Sequence, residues 1–289
     1  MDAVTRIERT LTEAVDLAAQ RGCPPRLAEA MRYAVFPRGA RVRPRLCLAV
    51  AAACGDDRSP LADSAAAAIE LLHCASLVHD DLPCFDDAAT RRGKPSLHVA
   101  FGEPLAVLAG DALIVLAFQL LARSGRVAPE RLGPVLMAVG DSVGVPHGIV
   151  AGQAWECESS TDLSVYQQEK TGSLFASAAL AGALSAGAPA ATWQLVGERL
   201  GEAYQVADDI SDAVASDEAL GKPAGQDAAH GRPNAVETFG LGGALRRLER
   251  LAAEAAAAVP PCPGQAALQG LIRQEAERLL PKRFTAAAA

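Results

Sequence analysis

Residues 61–81, Leu61-Ala-Asp-Ser-Ala-Ala-Ala-Ala-Ile-Glu-Leu-Leu-His-Cys-Ala-Ser-Leu-Val-His-Asp80-Asp81, read as one helix ending in paired aspartates. Alanine is the best helix former, and Pro83 halts the run. Asp86 and Asp87 follow directly, so carboxylates crowd the end of an otherwise apolar segment. The pattern recurs far downstream as Asp208-Asp209-Ile-Ser-Asp212, after Tyr204-Gln-Val-Ala207. Like charges on one helical face oppose each other by roughly a few tenths of a kcal/mol when exposed, and far more when half buried. Two such clusters imply something positive between them. Hard oxygen donors in this number suit Mg²⁺, which is normally shared with substrate phosphates.

The rest of the chain fits a helical frame. Half of the residues are hydrophobic but only 4% are aromatic, and alanine dominates. Runs of alternating β-branched residues are missing, so the fold class is all-α, with small side chains allowing close helix packing. With 289 residues, no low-complexity linker and no solenoid-length repeat, residues 1–289 are expected to form one domain. The net charge of -7 argues against a nucleic-acid partner. Basic residues instead gather locally, at Arg38 to Arg45 and Arg91 to Lys94, which suits a small anionic ligand. Seven cysteines show no C-x-x-C pair, and the chain shows no signal peptide, which together fit a reducing cytoplasmic setting. Residues 171–197 carry no charge and could span a bilayer by length. Pro189 sits in a turn signal there, so two buried helices are expected and no stable membrane insertion.

Helices are expected at Asp2 to Gln20, Arg26 to Val35, Arg43 to Ala53, Leu61 to Asp81, Pro104 to Leu121 and Glu130 to Gly140 or beyond. Further helices are expected at Leu163 to Ser185, Trp193 to Val214, Val236 to Ala257 and Gln265 to Leu280, with Ala88 to Ser96 a basic loop. His73 lies seven positions before Asp80 and so shares its face, roughly 10 Å away along the axis. A lone helical histidine is usually structural. Beside an acidic metal cluster, Arg91, Arg92 and Lys94 form a natural diphosphate clamp, since guanidinium groups meet phosphate oxygens bidentately. Asp208 and Asp212 lie one turn apart, with Gln205 a turn earlier; alone, this could be an exposed acidic stripe. Gly221-Lys-Pro-Ala-Gly-Gln-Asp227 is a glycine-rich loop with a single lysine.

Taken jointly, these pieces resemble the trans-polyprenyl diphosphate synthases, the head-to-tail prenyltransferases that make farnesyl and geranylgeranyl diphosphates. The resemblance runs nearly end to end. It rests on Phe36-Pro-Arg-Gly-Ala-Arg-Val-Arg-Pro44, Glu70 to Asp86, Arg91-Arg-Gly-Lys-Pro-Ser-Leu-His98 and Gly110-Asp-Ala-Leu113. It continues in Gly152-Gln153, Lys170-Thr-Gly-Ser-Leu-Phe175, Gln205 to Asp212 and Gly221 to Asp227. The Pro83-Cys84 expansion of the first motif is similar to the bacterial type, above all to geranylgeranyl diphosphate synthases of carotenoid and bacteriochlorophyll pathways.

That resemblance implies a bundle of about ten or more helices around a central cavity, and a homodimer. It implies that Asp80, Asp81 and Asp86 from one wall, with Asp208 and Asp212 from the other, hold three Mg²⁺ on an allylic diphosphate (dimethylallyl, geranyl or farnesyl), with Asp209 as nearby support. Arg91, Lys170 and Lys222 would touch that diphosphate. Arg41, His73 and Arg92 would hold isopentenyl diphosphate, while Thr171 and Gln205 would line the reacting region. One departure is Ala40, where the family usually has a lysine ligand for isopentenyl diphosphate; Arg38 or Arg43 could compensate. Ala75, five positions before Asp80, replaces the bulky aromatic that stops growth at farnesyl, so elongation should reach geranylgeranyl. Ser76 adjoins it, and Leu72 and Leu71 are candidates for the next floor. Two alternatives remain open on these residues, a farnesyl diphosphate synthase and a non-catalytic regulatory subunit of a prenyl synthase. Terpene cyclases usually carry an Asn/Asp…Ser…Glu triad at the second site, and head-to-head synthases space their motifs Asp-x-x-x-Asp and lack the Arg-Arg-Gly-Lys-Pro loop.

Overall fold

The computed structural model describes residues 2–36, 39–55, 60–158, 172–214 and 234–279. Twelve α-helices appear among them, so the all-α expectation holds. They are α1 (Ala3–Ala18), α2 (Pro25–Val35), α3 (Val42–Ala53), α4 (Pro60–Asp80), α5 (Leu97–Phe101) and α6 (Glu103–Ser124). The remainder are α7 (Pro129–Val143), α8 (Ile149–Ala154), α9 (Ser173–Ser185), α10 (Gln194–Val214), α11 (Ala235–Ala257) and α12 (Gln265–Leu279). Local chemistry sets the ends. Asp2 caps α1 by accepting from the Thr5 N–H at 3.0 Å, and Asn234 caps α11 by accepting from Val236 N–H at 2.7 Å. Proline opens α2, α6 and α7, where its missing N–H has no helical partner to lose.

Three differences from the sequence reading stand out. α5 and α8 are too short to show a helical period. The basic loop is a two-strand hairpin, β1 (Thr90–Arg91) with β2 (Lys94–Pro95), registered Arg91 to Lys94. Its turn residues, Arg92 (φ 54°) and Gly93 (φ 73°), are both left-handed, the geometry a two-residue hairpin requires. Of the helix expected at Leu163 to Ser185, only Ser173–Ser185 lies in the described residues.

α4 and α9 form the centre. α4 packs on α3, α6 and α9, and α9 in turn packs on α3, α7 and α10. Ala65 to Ala68 of α4 are fully buried, because a methyl group lets neighbouring backbones draw close. The same logic operates harder at two glycines. A Cβ on Gly182 would fall 2.3 Å from the Cys47 carbonyl oxygen, and one on Gly197 would fall 2.4 Å from that of Phe175. α9 is therefore seated directly against α3 and α10. The helices that carry the two acidic motifs, α4 and α10, both pack on α9.

Candidate active site

The first wall begins where α4 ends. After Asp80 the chain folds back on itself: Leu82 N–H donates to His79 O at 3.1 Å, Asp86 N–H to Asp80 O at 2.9 Å, and Ala88 N–H to Asp81 O at 3.2 Å. The expanded motif thus returns Asp86 to the side of Asp80, despite five intervening residues. Asp87 takes a left-handed conformation (φ 45°) to complete the turn. Asp81 does something else. Its side chain is only 3% exposed and receives a forked bond from Arg91, whose Nε lies 2.9 Å from Oδ1 and 3.2 Å from Oδ2, with Nη2 also on Oδ1. Burial raises the Asp81 carboxyl, and Arg91 offsets part of that rise. For Arg91, burial opposes the charge, but Asp81 and the nearby Asp80 and Asp86 outweigh it and raise its value. In this arrangement the Asp81 oxygens are turned to Arg91 and fix that arginine at the hairpin.

Arg41, expected on isopentenyl diphosphate, is turned into the protein. Its side chain is buried, and all three guanidinium nitrogens are engaged. Nε donates to Glu8 at 2.9 Å, Nη1 to Glu70 at 2.6 Å, and Nη2 to the Val35 carbonyl at 2.9 Å. The arginine that does face His73 is Arg43, with Nη1 3.5 Å from His73 Nε2. Its guanidinium lies 4.6 Å from the Phe175 ring centroid and 5.6 Å from that of Tyr204, a cation–π seat. Arg43 Nε is buried without a hydrogen-bond partner. An unsatisfied cationic donor of this kind fits an anion. Arg92 stands close by, its guanidinium laid over Gly39, where a Cβ would be 2.7 Å from Nη2. Ala40 is exposed beside it. His73 is held well below its ordinary value by burial first, then by Arg43, Arg92, Arg41 and Arg91, so it is neutral near pH 7. His79 turns away toward α6, 3.4 Å from the Val107 carbonyl.

On the second wall, Asp209 is buried and accepts from Gln205 Nε2 at 2.9 Å and from Ala235 N–H at 2.8 Å. It therefore anchors the start of α11 and orients Gln205, in keeping with a supporting role. Asp208 and Asp212 lie a turn apart and half-buried. Arg43 links the walls. Burial depresses its charge and Arg92 adds to that, while Tyr204, Glu70 and Asp208 hold it up; it is within electrostatic reach of both acid-bearing helices.

Below Asp80 on α4, Ala75, Leu72 and Leu71 are buried, and Ser76, half-buried on the face of Asp80, donates to the His73 carbonyl at 2.9 Å. Lys170, Thr171, Lys222, Arg38 and the Gly221 to Asp227 loop lie outside the described residues. A cavity of about 470 Å³ opens between α10 and α11, lined by Gln205, Asp209, Glu202, Thr238 and Arg247 but by neither Asp80 nor Asp86.

Among the described residues no three acidic, histidine or cysteine side chains converge into a metal cage. Paired carboxylates facing an anion-seeking arginine suit Mg²⁺ nonetheless, since that ion takes one or two carboxylates plus phosphate oxygens and water. Sequence reasoning missed Glu70, Phe175 and Tyr204. The signal for Tyr204 was its place one turn before Asp208.

Residues 24–256 match the family described as Polyprenyl synthetase. The chain is 52% identical over 281 residues to the geranylgeranyl diphosphate synthase of Cereibacter sphaeroides, covering 97% of this chain and 98% of that one. Among solved structures, it is similar to an apo FPP/GFPP synthase from Zymomonas mobilis (TM-score 0.78, 30% identity, 96% of this chain and 99% of that one). It is also similar to a geranyltransferase from Helicobacter pylori complexed with magnesium and isoprenyl diphosphate (TM-score 0.79, 26% identity, 96% and 98%).

Proposed function

The chain belongs to the polyprenyl synthetase family, and on that premise we propose that it joins isopentenyl diphosphate head-to-tail to an allylic diphosphate, making geranylgeranyl diphosphate. One observation carries this reading: Arg43, with a buried donor lacking any partner, sits between two acid-bearing helices. Asp80 with Asp86, and Asp208 with Asp212, would hold up to three Mg²⁺ on the allylic diphosphate. When bound, magnesium draws charge off the leaving diphosphate. Arg91, fixed by Asp81, brings a pre-oriented cation to the same group, and Lys170 and Lys222 are assigned there by resemblance. Arg43, Arg92 and neutral His73 would hold the diphosphate of isopentenyl diphosphate; Arg43 takes the place earlier given to Arg41. Thr171 and Gln205 would line the reacting carbons, with Gln205 steadied by Asp209.

These residues place the isopentenyl double bond against the allylic carbon. Breaking the allylic C–O bond leaves a cation that the double bond attacks, and the product forms when a proton leaves to the released diphosphate. Water must be kept from that cation, and the buried aliphatic side chains of α4 supply the dry wall. Ala75 leaves room for a twenty-carbon product.

A homodimer completes the proposal. α6 is long and strongly apolar, yet only 39% of its most apolar window is buried. Val107, Leu108 and Val115 stand exposed along it, with Val99 of α5 nearby, a face suited to a second copy of the chain. All seven cysteines are free thiols, in keeping with a reducing cytoplasmic setting, and a carotenoid or related isoprenoid pathway would consume the product. The test is direct. Purified protein is incubated with Mg²⁺, isopentenyl diphosphate and each allylic primer, and the dephosphorylated products are chromatographed. A geranylgeraniol peak supports the reading; farnesol alone makes it a farnesyl diphosphate synthase. No condensation with any primer leaves the regulatory subunit, to which Ala40 lends its only support.

A further inference from the structure

Three helices meet at one guanidinium. Arg41, at the start of α3, bonds Glu8 of α1 and Glu70 of α4 while also donating to the last carbonyl of α2. The exposures of the three side chains are 1%, 13% and 2%. Arg41 also adopts a left-handed backbone (φ 51°), a conformation a non-glycine residue enters only at some energetic expense. Burial works against its charge, but Glu8 and Glu70 outweigh that and hold it firmly protonated. All three of its guanidinium nitrogens bond within the protein.

Glu70 is the informative partner. It lies three residues before His73 on α4, so the two share a helix face about one turn apart. Its charge also acts on Arg43, two residues beyond Arg41. A buried carboxylate directly behind an anion site should repel the anion, or draw Arg43 inward as its own counter-ion. Arg41 prevents both by taking Glu70 as its partner at 2.6 Å. Arg43 is then left with its Nε unpartnered and its face on Phe175.

Resting on the reading of this site as the isopentenyl diphosphate seat, we propose that Arg41 is a positioning residue for it. Arg41 neutralises Glu70 behind Arg43 and His73, so that Arg43 reaches the diphosphate as a cation without Glu70 as its counter-ion. The coupling is electrostatic and one-sided. It acts on the isopentenyl subsite and spares the allylic diphosphate, which Arg91 and the aspartates hold.

Steady-state kinetics on the purified full chain tests this with Arg41→Gln, Arg41→Lys, Glu70→Gln and the double variant Arg41→Gln/Glu70→Gln. One unit charge left uncompensated about a helical turn from the anion should raise the KM for isopentenyl diphosphate about tenfold or more in Arg41→Gln. The KM for the allylic diphosphate should stay within about twofold, because that site is screened from Glu70 by distance and solvent. Removing the carboxylate as well should bring the isopentenyl KM back to within about threefold of the parent, the non-additivity expected of residues acting as a unit. Arg41→Lys should be intermediate. Calorimetric binding of inorganic pyrophosphate should follow the same order without any turnover.

A purely structural tie would instead lower thermal stability and both KM-dependent rates together, with the double variant no better than the single. That outcome overturns the inference, as does an isopentenyl KM unchanged in Arg41→Gln. Should Arg41→Gln not fold, Arg41→Lys and the double variant decide the matter by the same KM ratio. A parent protein that condenses no primer would reject the proposed reaction itself, whereas an active parent with an unmoved ratio rejects only the role of Arg41.

Discussion

Asp81→Asn should lower stability, whereas Asp80→Asn should lower activity, although the two residues are neighbours in one motif. The Asp81 side chain is 3% exposed and Arg91 is 27% exposed. Breaking a fully buried ion pair by removing one partner costs about 3–5 kcal/mol. Arg91 can recover part of that by turning to water, and asparagine keeps one acceptor, so a loss of about 2–3 kcal/mol is expected, near that of a hydrogen bond to a charged group. For a chain of this length that is a fall in Tm of about 5 °C. Asp80 is half-buried and sits beside Asp86. Its neutralisation relieves repulsion from Asp86 but also removes its attraction for Arg91, so Tm should fall less than in Asp81→Asn, while turnover drops by about a hundredfold or more through lost electrostatic stabilisation of the departing group. Circular-dichroism melts of both variants without substrate, paired with the product assay, separate the two effects. If Asp81→Asn melts within about 1 °C of the parent yet loses activity as Asp80→Asn does, then Asp81 is a direct ligand and the reading of it as the lock on Arg91 is wrong.

Ala75→Tyr should shorten the product by one isoprene unit, from geranylgeranyl to farnesyl; an unchanged chromatogram would place the floor of the cavity on another helix. Val115→Arg, at a position 55% exposed on α6, should leave the melt nearly unchanged but convert a dimer to monomer, because an arginine desolvated at an apolar interface is strongly unfavourable. Light scattering reads this, and a parent that is already monomeric removes the proposed interface. His73 gives a pH signature. Its native value is held well below 6.5, so as pH falls the unfolded chain binds this proton first. Stability from His73 is complete above that value and declines as pH drops below it, toward the native value. Urea midpoints measured from about pH 7.5 to 5 should therefore fall less in His73→Gln than in the parent; parallel slopes would mean the ring is not held neutral.

The elements most visible in the sequence were those with many residues to average over. α4 showed a long apolar run, a proline stop and a polar tip, and α10 a helical pattern ending in three aspartates. α5 and α8 did not, because a helix of one or two turns offers no period to detect. The hairpin at Arg91 to Lys94 was hidden differently: its left-handed turn uses Arg92 where glycine or asparagine would have announced it. Within the site, the sequence drew the right elements together but could not say which way each charge points. Adjacent helical residues lie about 100° apart, so Asp208 and Asp209 start on different faces of α10, while Asp81 lies just past the end of α4. That rule was the available signal for their division of labour. The choice between Arg41 and Arg43 had no comparable clue, since it turns on Glu8, thirty-three residues away from Arg41 in sequence.

Three non-glycine residues among those described have a positive φ: Arg41 (51°), Asp87 (45°) and Arg92 (54°). Each sits at a hinge of the binding apparatus, and each is held there against a conformational preference of about 1–2 kcal/mol. A laboratory selection for heat resistance would find glycine attractive at Arg92, since it relaxes the backbone at once, but that gain would erase a charge at the proposed diphosphate seat. At Arg41 the relief would be outweighed by the loss of its bonds to Glu8 and Glu70. Hardiness and grip are thus coupled at Arg92, and a thermostable catalyst should be sought by mutating the far ends of the bundle.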